Sequence, residues 1–143
     1  MPSKITNFLH VSQTTGTTAL TNAYGTARTH DLTLTLPAFQ QAAARWVGIL
    51  ETVNVHVQAI AGGATKLTVR VTADSAGNES ILPDTEATIA TGIGTATTGS
   101  VALSAGVGMT NLNPTQTDSI IYVWVKTDLG TANLKEVTLT WRE

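Results

Sequence analysis

Ser119-Ile-Ile-Tyr-Val-Trp-Val-Lys126 and, beyond a glycine-centred turn, Leu134-Lys-Glu-Val-Thr-Leu-Thr-Trp-Arg142 are the stretches that decide the fold. Both alternate with a period of two, the repeat of a β-strand. Ile121, Val123 and Val125 share one face of the first stretch; Val137, Leu139 and Trp141 share one face of the second. The first stretch is apolar on its other face as well, through Ile120, Tyr122 and Trp124. One face can fill a core, so the other must be covered by something else. Pairing Val123 with Val137 and Ile121 with Leu139, about Gly130, predicts a closing β-hairpin with its apolar residues on one side.

The same alternation recurs upstream. Leu32, Leu34 and Leu36 alternate with threonines, and Pro37 stops that strand. Val53, Val55 and Val57 form a second set, Leu67, Val69 and Val71 a third, and Val101 and Leu103 a shorter fourth. Weaker candidates lie at 8–12, 17–22 and 79–82. Pairing Val57 with Leu67 and Val53 with Val71 about Gly62 predicts another hairpin, with His56 opposite Thr68 and Asn54 opposite Arg70. Residues 37–45 suit one or two helical turns or an extended connection. Segment 85–99, rich in small residues, reads as a long surface loop. Eight or nine strands separated by Gly, Asn, Asp and Pro predict one all-β, antiparallel domain over 8–143, a sandwich or barrel. Residues 1–7 lack alternation and read as an N-terminal arm.

Composition narrows the function classes. The 143 residues carry a net charge of −2, and only 13% are charged. The basic residues are scattered, which gives no reason to expect nucleic acid or a membrane surface as partner. Threonine fills 27 positions, and a β-branched polar side chain suits the wet face of a sheet. A surface so poor in charge also suits partial burial by neighbours. The absence of cysteine excludes disulfides and thiolate metal sites. The N-terminus has no uninterrupted apolar run, so no secretory signal is expected.

Chemistry-bearing residues are sparse. His10, His30 and His56 are isolated in sequence, with no nucleophile motif beside them, so neither a catalytic triad nor a metal site is expected. Asp74-Ser-Ala-Gly-Asn-Glu79 reads as a turn, because its spacing does not match a calcium loop. Asn78-Glu-Ser80 is a chance match to a glycosylation acceptor. No cofactor is expected. The row Ile120, Tyr122, Trp124 is the leading contact candidate, since Tyr and Trp concentrate at interface cores. Coverage of that row by the chain's own loop 85–99 is the competing expectation.

The closing 26 residues, Asp118 to Glu143, resemble the last strands of small jelly-roll virion proteins of tailed phages. The cysteine-free, Thr/Ala/Gly-rich composition looks like that of their head decoration (cement) proteins. The resemblance implies a jelly-roll sandwich and a non-enzymatic structural role. It further implies binding to the major capsid protein on the capsid exterior, self-association as a homotrimer, and no nucleic-acid or membrane partner. Ile120, Tyr122, Trp124 and, from the arm, Lys4 and Ile5 would then be contact residues. The alternative is a carbohydrate-binding or adhesin module, with Tyr122, Trp124 or Trp46 as stacking platforms.

Overall fold

The structure, a computed structural model, describes residues 9–32, 48–92, 95–109 and 120–142. All the regular structure in these residues is β. In chain order the strands are β1 (Leu9–Leu20), β2 (Arg28–Asp31), β3 (Gly48–Ala61), β4 (Lys66–Thr72) and β5 (Ser80–Thr88). They are followed by β6 (Ala90–Gly92), β7 (Thr95–Met109), β8 (Ile120–Thr127) and β9 (Thr131–Arg142). One sheet, here sheet A, has the order β1-β9-β3-β7-β6; the other, sheet B, has the order β2-β8-β4-β5.

The pairings reveal how the chain is wound. β1 pairs with β9, β2 with β8, β3 with β7 and β4 with β5, all antiparallel. These four pairs form one long two-stranded ribbon whose tip is the β4–β5 turn. Rolling that ribbon up brings β3 beside β9 and β4 beside β8, the remaining major ladders. This is the jelly-roll winding, with β6 added at one edge of sheet A.

The core lies between the sheets. Leu50, Val53, Val55 and Val57 of β3 and Leu134, Val137, Leu139 and Trp141 of β9 enter from sheet A. Leu67, Val69 and Val71 of β4 and Ile121, Val123 and Val125 of β8 enter from sheet B. Every inward residue expected from alternation is buried where it is described; Leu34 and Leu36 lie outside the described residues. Leu20, Leu82, Ile89 and Ala132 also join the core, from stretches where alternation is weak.

Both expected hairpins are corrected. β3 and β4 are not ladder partners, nor are β8 and β9; each pair splits between the two sheets. Val57 pairs with Gly99 and Leu134, and Val123 with Arg28 and Val71. The short connections at 62–65 and 128–130 are therefore arches that cross from sheet to sheet. Alternation cannot tell the two cases apart. A hairpin sets two apolar faces side by side, and an arch sets them opposite each other across a core. Segment 85–99 is also corrected: it supplies the end of β5, β6 and the start of β7. Candidates 8–12 and 17–22 are a single strand, β1, whose register shifts between Thr15 and Thr18 around Gly16 (φ 131°).

The two arches meet at one corner. A Cβ on Gly62 would lie 2.9 Å from Gly130 Cα, and one on Gly130 would lie 2.7 Å from the Gly62 carbonyl carbon. No side chain larger than hydrogen fits between them. Gly130 also has a positive φ of 63°, which other residues avoid. Asp128 ties the arches together. Its carboxylate accepts hydrogen bonds from the Thr65 and Lys66 N–H groups (3.0 and 3.1 Å) and from the Thr65 hydroxyl (2.8 Å). Desolvation opposes ionisation there, but these donors outweigh it and hold the carboxyl well below the usual carboxylate range.

Gly106 offers a matched control, with φ 59° and open space where a Cβ would be. Gly106→Ala is expected to lose about 1 kcal/mol, the left-handed backbone cost alone. Gly130→Ala is expected to lose about 2–4 kcal/mol, because crowding adds to that cost. Urea denaturation midpoints of the two variants measure the difference.

Candidate interface

The row Ile120, Tyr122, Trp124 lies on the outer face of β8, opposite the core residues, and all three are half-buried. Loop 73–79, joined by Tyr24, covers part of this row; the described residues of 85–99 instead belong to β5, β6 and β7. Trp124 Nε1 donates to the Thr72 hydroxyl at 2.9 Å, so Thr72 is fully buried although it faces outward. A Cβ added to Gly77 would sit in van der Waals contact with the indole, 3.4 Å from its ring carbons. The loop keeps its shape because Asp74 accepts hydrogen bonds from the Glu79 and Asn78 N–H groups (2.8 and 3.1 Å). This is the turn expected at 74–79.

Tyr24 completes the cluster. Its ring meets Trp124 edge-on, with centroids 6.3 Å apart. The Arg70 and Lys126 cations lie 4.8 and 4.7 Å from its centroid. Its hydroxyl donates to Asp84 at 2.9 Å, and Asp84 also accepts from Arg70 Nε at 2.6 Å and Nη2 at 3.1 Å. Burial, then the Asp84 hydrogen bond, raises the Tyr24 pKa, while the Arg70 hydrogen bond foremost lowers that of Asp84. Trp124 is thus held rigidly by its own chain, with only part of the ring available to a partner.

The outer face of sheet A has a different character. Four adjacent strands supply Val11 and Gln13 (β1), Thr140 and Thr138 (β9), Thr52 and Asn54 (β3), and Ser104 and Ala102 (β7). None of these eight is ionisable. The Thr52 and Thr140 hydroxyls are hydrogen-bonded to each other across the ladder. The ion pair of Arg142 with Glu51 (3.0 Å) borders the patch at one end, and His56 and Glu136 border it at the other. Beyond the ion pair lie the exposed Leu9 and Ile49, both in register with Arg142. Asn54, His56, Ser100, Ala102 and Glu136 line a shallow, open depression. Sequence reasoning placed no site on this face, and its only signal was the low charge of the chain.

The three histidines are not brought together. His56 faces out on β3, opposite Ser100 and Glu136. His10 stacks on Trp141, with centroids 4.1 Å apart. His30 is buried where β1 meets β2, with its ring nitrogens 3.0 Å from the Ser12 hydroxyl and 3.2 Å from the Thr14 hydroxyl. A neutral imidazole donates through one nitrogen and accepts through the other, so both contacts are satisfied without a charge. Arg28 anchors the same seam, donating to the Thr18 hydroxyl at 3.0 Å. Among the described residues, no group of three or more His, Asp or Glu side chains is placed to hold a metal. The expected contact residues Lys4 and Ile5, and Trp46, lie outside the described residues.

No protein family matches the chain, and no curated protein matches it. Among solved structures, a chain of the cyanophage Pam1 capsid asymmetric unit is similar at 15% identity and a TM-score of 0.40. The likeness covers 99% of this chain and 89% of that one.

Burial, and secondarily the Arg28 charge, pulls the His30 pKa down to about 4. In the unfolded chain the value returns to about 6.5. Between these limits the unfolded state binds the extra proton, so stability falls as pH drops from about 6.5 to 4, levels off below, and is unaffected above. The loss is expected to reach about 3 kcal/mol at most. Urea melts at pH 7 and pH 5 measure it, and His30→Gln should flatten the slope between them.

Proposed function

We propose that this chain is a non-enzymatic virion protein that decorates and stabilises the exterior of an assembled phage capsid. The observation that carries this reading is the uncharged outer face of sheet A. Val11, Gln13, Thr138, Thr140, Thr52, Asn54, Ala102 and Ser104 form an uncharged area that a protein partner can cover without stripping water from an ion. Depletion of charge at the centre with charged residues at the rim is the usual make-up of a protein–protein contact. The jelly-roll winding supports the reading by presenting that face on rigid strands. The half-buried row Ile120, Tyr122 and Trp124 offers a second contact surface on the opposite side, with Lys4 and Ile5 of the arm as further contact residues.

In this reading the major capsid protein is the partner, and copies of the chain associate with one another as homotrimers. Stabilisation follows from mass action: a module that binds the assembled shell and not its loose subunits shifts the equilibrium toward the shell. No nucleic acid or membrane is involved.

Purified particles of the encoding phage should contain the chain at fixed stoichiometry and lose heat resistance without it. Ala102→Arg, an exposed position on the β7 side of this face, should fold normally and cut incorporation at least tenfold, as measured by quantitative mass spectrometry of particles. Particles that never contain the chain would overturn the function; normal incorporation of the variant would overturn the assignment of the face.

A further inference from the structure

The four edges of the two sheets are protected unequally. A free edge presents unpaired N–H and C=O groups, and proteins blunt such edges with short strands, Pro, charges or bulges. In sheet B, β2 has only four residues, and β5 carries Pro83, Asp84 and Glu86 and pairs irregularly with β4. In sheet A, β6 has three residues. β1 differs from all of these. It has 12 residues, pairs among the described strands with β9 alone, and contains no Lys, Arg, Asp, Glu or Pro. Its stretch Leu9–Thr15 keeps unbroken register with Arg142–Glu136, and the bulge at Gly16 comes only after it.

The polarity of β1 is also inverted. His10, Ser12 and Thr14 face the sandwich, where Ser12 and Thr14 satisfy His30. Leu9 and Val11 face out and are 62% and 64% exposed. A strand evolved only to close this sandwich would turn its apolar residues inward.

We propose that the edge of β1 not used by β9, which no other described strand pairs with, pairs antiparallel with β1 of a second copy of this chain. Three features select a second copy as the occupant. The strand carries no formal charge, so like strands meet without repulsion. An antiparallel pair of identical strands is self-complementary about a two-fold axis. With that axis at Ser12, the midpoint of Leu9–Thr15, Leu9 of either copy lies opposite Thr15 of the other, and Val11 opposite Gln13. The two Val11 side chains then become diagonal neighbours on the outer face, within reach of contact. The pairing joins two five-stranded sheets into a continuous ten-stranded one and makes the uncharged outer faces of both copies into one surface.

This contact lies on sheet A, away from the Ile120–Tyr122–Trp124 row, so it is compatible with a three-fold contact elsewhere. It does not depend on capsid binding. Light scattering on the isolated chain is expected to give an even multiple of 14.9 kDa. The double variant Val11→Lys/Gln13→Lys, which alters only exposed positions, is expected to halve that mass with unchanged circular dichroism. Hydrogen exchange should show alternate backbone amides of residues 9–15 protected in the wild type and exchanging at least tenfold faster in the variant. A monomeric or odd-numbered wild type, or a variant that keeps the wild-type mass, would overturn the proposal. If the variant loses its fold, Val11→Glu alone is used instead; it changes one exposed position, sets two like charges as diagonal neighbours across the two-fold axis, and should still weaken the association. Loss of capsid incorporation without a change in mass would bear on the decoration reading and leave this one overturned.

Discussion

The close approach of Gly62 and Gly130 is the constraint on which the winding depends. Rolling the ribbon lays β3 beside β9 and β4 beside β8, so the connections β3–β4 and β8–β9 must cross between the sheets side by side. These connections are the arches after β3 and β8, and they press together backbone to backbone. Asp128 then satisfies the N–H groups of the neighbouring arch, which would otherwise be left without ladder partners. With the corner closed, β1, β3, β7 and β9 from one side and β4, β5 and β8 from the other present Val, Leu and Ile to a common interior. The core residues are mostly of medium size, so the fit between sheets rests on this geometry as much as on side-chain volume.

The polar seam between β1 and β2 shows how the sandwich is closed at its flank. His30, buried and neutral, bridges the Ser12 and Thr14 hydroxyls, while Arg28 reaches Thr18. The hydrogen bonds leave β1 free to turn Leu9 and Val11 outward. The two outer faces consequently differ. The outer face of sheet B is partly covered by its own loop and a Tyr24–Arg70–Asp84 cluster, and that of sheet A is open, with an uncharged centre bordered by Arg142, Glu51 and Glu136. That division is the observation on which the proposed function rests.

Much of the secondary structure was legible in the sequence. Alternation in 53–57, 67–71, 121–125 and 137–141 identified four strands and their buried faces, because one buried face imposes a period of two. The outward position of Ile120, Tyr122 and Trp124 followed from the same rule. What covers Trp124 did not, since Gly77 and Tyr24 reach it from loops distant in sequence. β6 and the start of β7 were hidden because Thr, Ala and Gly alternate too weakly in hydrophobicity. The uncharged outer face of sheet A was hidden for a related reason. Its Thr, Ser, Ala and Asn residues come from four strands scattered along the chain, and each looks like an ordinary solvent-facing residue by itself.

The sequence alone determined that the chain is all-β, which residues point inward, and that its surface is poor in charge. These are local properties, set by side-chain chemistry and the pleat. Only the tertiary structure decided which strands are neighbours, that 62–65 and 128–130 are arches and not hairpins, and which outer face stays open. Apolar faces satisfy the same burial requirement side by side or across a core. The arches press Gly62 and Gly130 together, two residues far apart in sequence that carry no side chain to announce the contact.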